Sequence, residues 1–159
     1  MRRRAFTLVE TLIVVAVFAT VCAALWNVLW SESSSSLVRR DMERLERWLA
    51  SALVKADRWK SGFTLSVVLP QGVSSRHYMR LRWNDESLAV LPTETFYAES
   101  GVKWRLQGSN RSFVYQWQTH SVTPAFVITA LGPDGKQTGD TLTVSLRAQL
   151  TRRSGGKIM

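Results

Sequence analysis

Met1-Arg2-Arg3-Arg4-Ala5-Phe6-Thr7-Leu8-Val9-Glu10 opens the chain, and no charged residue follows from Thr11 to Ser31. Three arginines, a small residue and then a carboxylate at the mouth of a long apolar run form a costly arrangement. An ionised carboxylate in hydrocarbon costs at least ~2.5–3.5 kcal/mol and is kept where it has a partner or a function. Glu10 therefore needs a positive group. Cutting the chain after Ala5 would create one, the new α-amino group of Phe6.

Three other readings of this opening fail on particular residues. A secretory signal peptide has an apolar core of about 7–15 residues and a small-x-small cleavage site. Here the charge-free run is longer, and Glu10 interrupts its start. A lipoprotein signal needs a small residue directly before Cys22, where Val21 stands. A plain anchor accounts for the length, since ~20 apolar residues span a bilayer, but not for Glu10 or for the order Phe6-Thr7-Leu8-Val9-Glu10.

A basic leader, a small residue before the cut, and Phe-Thr-Leu-x-Glu opening a hydrophobic helix resemble the N-terminus of the type IV filament superfamily. This superfamily comprises the pilins of type IV pili, the pseudopilins of type II secretion and the competence pseudopilins. The resemblance implies cleavage between Ala5 and Phe6 by an inner-membrane prepilin peptidase, N-methylation of Phe6, and a role for Glu10 in assembly. Ala5 stands where the family usually has Gly. Within the superfamily, Val17-Phe18-Ala19, the tryptophan-rich head, and the order Gly101-Val102-Lys103-Trp104, Tyr115, Trp117, Pro124-Ala125-Phe126-Val127 resemble the J-type minor pseudopilins of type II secretion. The implied partners are the H-, I- and K-type minor subunits near a filament tip, the major subunit, the prepilin peptidase, the inner-membrane assembly platform and membrane lipid. The alternative is a minor type IV pilin or competence pseudopilin whose head binds nucleic acid.

Length and charge agree with one membrane helix and one small domain. The chain has 159 residues and a net charge of +9, and loss of Arg2, Arg3 and Arg4 leaves +6, spread along the sequence rather than massed. Basic residues beside a span favour the cytoplasm, so the leader predicts a single pass, N-in and C-out, with the head in the periplasm. Cys22 is the only cysteine and falls in the apolar run, so no disulfide framework exists and packing alone must hold the head. Of the seven tryptophans, Trp26 and Trp30 fall where an interfacial belt would lie. Trp48, Trp59, Trp104 and Trp117 are candidates for core or for contacts with other subunits.

The expected fold is α+β, a long N-terminal helix packed on a mostly antiparallel sheet head. No Gly or Pro occurs before Gly62, so one helix can run from Phe6 to about Ala56. Val38, Met42, Leu45, Leu49, Ala52 and Ala56 recur at spacings of four and three, which makes one apolar face. Beyond Gly62 the apolar period becomes two. Seven strands are read around Phe63–Leu69, Met79–Trp83, Leu88–Leu91, Val102–Leu106, Phe113–Trp117, Ala125–Leu131 and Leu142–Ala148. The chain thus divides into a leader (1–5), a transmembrane or filament-core helix (6–30), its amphipathic continuation (31–61), a β-rich head (62–150) and a flexible tail (151–159).

Catalytic chemistry finds no foothold. His77 and His120, the only histidines, lie in no motif with Asp, Glu or Cys, and no glycine-rich phosphate loop occurs. The chain reads as a structural protein without enzymatic activity, cofactor or metal. Asp134 and Asp140 bracket a stretch that could pass for a calcium loop, but it is short of carboxylates for the 6–8 oxygens such a site takes, and Asp-Gly in a turn is ordinary turn chemistry. Arg80 and Arg82 project from one face of their strand, the pattern of a solvent side or of a phosphate-binding stripe.

Overall fold

With no glycine or proline before Gly62, nothing interrupts helical hydrogen bonding, and in the computed structural model helix α1 runs Leu8–Trp59. The structure describes residues 8–70, 76–85, 93–133, 135 and 137–154, with the backbone alone for 8, 10, 27–34 and 137–139. Two compact units divide between Ser34 and Ser35, inside the serine run.

In the first unit every described side chain from Thr11 to Trp26 is exposed. An apolar surface on all sides of a helix belongs in lipid or among other helices. Among the described residues no helix is long and apolar enough to cross a membrane.

The second unit is built on the amphipathic half of α1. All six predicted face residues, Val38, Met42, Leu45, Leu49, Ala52 and Ala56, are buried. They pack against two antiparallel sheets. One has five strands in the order β3-β2-β1-β5-β6 and the other four in the order β4-β7-β8-β9. The first sheet comprises β1 (Phe63–Val68), β2 (Tyr78–Trp83), β3 (Glu94–Tyr97), β5 (Ser112–Gln116) and β6 (Ser121–Thr123). The second comprises β4 (Lys103–Leu106), β7 (Phe126–Leu131), β8 (Gln137–Val144) and β9 (Leu150–Arg153). The inward sides of both sheets and the helix stripe form one hydrophobic cluster, with Phe113 and Phe126 ring centroids 4.1 Å apart. The expected α+β head with antiparallel sheet is what the chain forms.

Several strands differ from the sequence reading. The expected strand Leu88–Leu91 lies outside the described residues, and β3 follows it. Strand β6 is only three residues long, too short to show an alternation. The alternation read through Ala148 stops at Val144, because Ser145 to Gln149 turn the chain. There the Ser145 N–H donates to the Gln149 carbonyl and the Ala148 N–H to that of Ser145, each at 3.0 Å.

The tail expected from Thr151 instead begins inside β9, which pairs Thr141↔Arg153, Leu142↔Arg152 and Thr143↔Thr151 with β8. Arg152 also reaches back to α1, its Nη1 3.2 Å from Glu43 Oε1 and its Nε 3.7 Å from Glu46 Oε2. A charged edge strand carries no apolar signal in sequence, and its charges guard the open edge.

Candidate functional site

The processing residues Ala5 and Phe6 lie outside the described residues. Glu10 is the third residue of α1, and its side chain lies outside them as well. Cys22 is exposed on the same helix. What the structure adds to this motif is its setting, an exposed apolar helix that continues into the amphipathic stripe of the head.

A second constellation fixes that stripe to the sheets. Asp41 lies on the apolar face of α1, three residues after Val38 and four before Leu45, and is fully buried. Its Oδ2 accepts the indole N–H of Trp104 at 3.0 Å, and its Oδ1 accepts the backbone N–H of Glu99 at 2.8 Å. Burial pushes the Asp41 carboxyl above the usual carboxylate range, while these two donors and the Arg44 charge pull it down. Glu99 in turn binds Arg40 at 3.2 Å and Arg44, so two helix arginines and one helix carboxylate grip the segment after β3.

His77 completes the group. Its Nδ1 accepts the Trp104 backbone N–H at 2.7 Å, so this nitrogen carries no proton. Burial, with the nearby Lys103 charge, holds the imidazole below its ordinary value of 6.5. The arrangement is a satisfied polar tie among Asp41, His77, Glu99 and Trp104. It offers neither a nucleophile nor an open site beside a base.

The other candidate residues separate. Among the described residues no three His, Cys, Asp or Glu side chains come together as a metal site. Asp140 is buried in β8, and Asp134 lies outside the described residues. His120 is exposed, with its Nδ1 3.2 Å from the Tyr115 hydroxyl. Trp104 is core. Trp48 is half-buried with its ring 5.6 Å from Phe96, and Trp59 packs edge-on to Trp83 at 4.9 Å. Trp117 is half-buried against the core. Arg80 and Arg82 are both exposed on one face of β2. Between helix and sheets an apolar cavity of about 20 Å³ is lined by Leu49, Leu53, Phe113 and Tyr115 among others, room for about one water and no ligand.

Asp41 was the residue sequence reasoning passed over. Its signal was present, since a carboxylate at helical spacing within an apolar stripe demands a buried partner.

Residues 1–26 match the family described as "Prokaryotic N-terminal methylation motif". That motif and the fold of the head together support assignment of the chain to the type IV filament superfamily. Its fold is similar to that of the type IV minor pilin FimU of Pseudomonas aeruginosa (strain PAO1) in two crystal forms. In one the TM-score is 0.55 at 10% identity, covering 73% of this chain and 92% of that one. In the other it is 0.56 at 8% identity, covering 73% and 87%. No curated protein sequence matches the chain.

Proposed function

We propose that the chain is a minor pseudopilin, a structural subunit near the tip of a type II secretion filament. A prepilin peptidase cuts it between Ala5 and Phe6, Phe6 is methylated, and the residue 6–30 segment holds the head in the periplasm before assembly. On entry into a filament, Glu10 pairs with the Phe6 amine of its own chain or of a neighbour. A subunit in the wrong register leaves a buried charge unpaired, which is costly. The observation that carries this reading is the match of residues 1–26 to the methylation motif on a helix whose second half is the spine of a pilin-fold head. A minor type IV pilin is the second reading, supported by the likeness of the fold to FimU.

Co-expression with a prepilin peptidase, followed by intact-mass spectrometry, tests the processing. The expected product starts at Phe6 and carries one added methyl group. Ala5→Gly processes at least as well, and a charged residue at position 5 blocks the cut. A mature start near Ala24 would make the chain an ordinary secreted protein. Deletion in the native host separates the two filament readings: loss of protein export supports the first, and loss of surface pili with export intact supports the second.

A further inference from the structure

The outward face of the five-stranded sheet has a composition that the core does not explain. Across the strands its residues fall into three rows. Tyr97, Tyr78 and Val68 form the first, Thr95, Arg80, Ser66 and Ser112 the second, and Arg82, Thr64, Val114 and Thr123 the third. Tyr97 is 54% exposed. Its ring lies 5.5 Å from that of Tyr78, and the Arg80 guanidinium sits 5.7 Å from the Tyr78 ring centroid. No carboxylate stands in these three rows, and among the described residues neither Arg80 nor Arg82 has an ion-pair partner.

Tyrosine and arginine surrounded by small hydroxyl residues is the chemistry of protein-binding surfaces. The rings give rigid contact area, the hydroxyls give adaptable hydrogen bonding, and arginine is enriched over lysine. The charge decides the occupant. Four carboxylates of the described head are held by the chain itself: Glu43 and Glu46 by Arg152, Glu94 by Lys55, and Glu99 by Arg40 and Arg44. A second copy laid face to face would bring Arg80 and Arg82 against their own kind.

We infer that this face, centred on Arg80 and Arg82 and flanked by Tyr78 and Tyr97, docks an acidic surface of a different subunit in the same filament. The inference rests on the filament-subunit reading above and adds which side of the head makes the contact and what charge the neighbour must carry. Five strands ~4.8 Å apart, with about five residues at ~3.4 Å, make a patch of roughly 20 by 17 Å. That is well below the ~800 Å² per partner of a stable complex. Such a face serves a contact inside an assembly whose helices are already held together.

The experiment uses the full-length chain in cells that assemble the filament, with a photo-crosslinking amino acid in place of exposed Ser112. The expected result is an adduct with another filament subunit that falls at least tenfold in Arg80→Glu/Arg82→Glu and persists in Arg80→Lys/Arg82→Lys. Tyr97→Ala lowers it independently. Immunoblotting of the filament fraction reports entry separately. A chain that never enters filaments overturns the filament reading and this inference together. A chain that enters but gives no adduct, an adduct indifferent to charge reversal, an adduct with a second copy, or one with nucleic acid overturns the docking face alone.

Discussion

Asp41 and Trp104, 63 residues apart, meet in the core as carboxylate Oδ2 and indole N–H at 3.0 Å. The contact ties helix α1 to the first strand of the four-stranded sheet. Because Asp41 also accepts the Glu99 N–H, both oxygens are committed as acceptors. Asp41→Asn cannot replace it, since the amide offers one acceptor and turns a donor toward a donor. Replacing Asp41 by Asn should lower the stability of the head by about 1–3 kcal/mol, the cost of one buried unsatisfied group. Asp41→Ala should cost more, because two donors are orphaned. Urea denaturation followed by tryptophan fluorescence measures both, and an Asn variant as stable as the parent would refute the tie.

A fragment beginning at Leu37 should fold without the apolar segment. The compact unit that starts at Ser35 contains the helix stripe, both sheets and the polar tie. Circular dichroism should show mixed helix and sheet with a cooperative thermal transition. A broad melt with weak near-ultraviolet signal would mean that the core is completed by another subunit.

The head should lose stability as pH falls through the histidine range. Burial holds His77 below 6.5 in the folded state, so beneath that value the unfolded chain binds the proton that the folded chain refuses. Stability therefore rises with pH between the folded value and 6.5, at no more than about 1.4 kcal/mol per pH unit for one proton. Protonated Nδ1 would also face the Trp104 N–H donor. His77→Gln, whose side-chain oxygen can accept that N–H, should flatten the dependence. Melting temperatures of parent and variant from pH 7.5 to 5 make the comparison, and parallel curves would show that His77 does not titrate on unfolding.

Two substitutions at the end of α1 should move stability in opposite directions. Lys60 has φ of 52°, the left-handed conformation that usually follows a helix and favours glycine. Lys60→Gly should raise stability by about 0.5–1 kcal/mol. At Gly62 an added Cβ would lie 2.5 Å from the Tyr115 carbonyl oxygen, where strands β1 and β5 pair. Gly62→Ala must displace backbone and should cost about 1–3 kcal/mol. Thermal melts of both variants decide, and a stabilising Gly62→Ala would show the approach to be looser.

The helix stripe was legible because burial on one face of a helix leaves a period that sequence displays, and Val38, Met42, Leu45, Leu49, Ala52 and Ala56 follow it, with Asp41 the one carboxylate on that face. Phe63, Leu65, Val67, Met79, Leu81 and Trp83 were legible for the same reason at period two. Strand β9 was not, because Thr151, Arg152 and Arg153 are held by pairing with β8 rather than by burial, and the carboxylates that hold Arg152, Glu43 and Glu46, are more than a hundred residues away in sequence. The division of strands between two sheets was hidden too, since β4 and β5 follow each other in the chain yet belong to different sheets. The N-terminal motif was legible from the order of its residues, with a carboxylate set in an apolar run, and residues 1–26 match the methylation family. The Asp41 tie poses the same problem inside the head, and its partners were invisible until the fold brought them together.

Glu10 carries the last prediction. It is the only charged residue between Arg4 and Glu32, so Glu10→Val leaves the apolar run longer and should not impair insertion into the membrane. Entry into the filament should nevertheless fall. The Phe6 amine made by cleavage would arrive among apolar helices without its carboxylate, and a buried charge stripped of its partner costs about 3–5 kcal/mol. At about 1.4 kcal/mol per tenfold, that is a loss of two orders of magnitude or more for a subunit that joins an existing filament. A subunit that starts the filament has no older neighbour to register against and should show a smaller loss. Comparing membrane and filament fractions of parent and Glu10→Val by quantitative immunoblot separates insertion from assembly. If the variant enters filaments as well as the parent while its membrane level is unchanged, Glu10 does not set register in this chain.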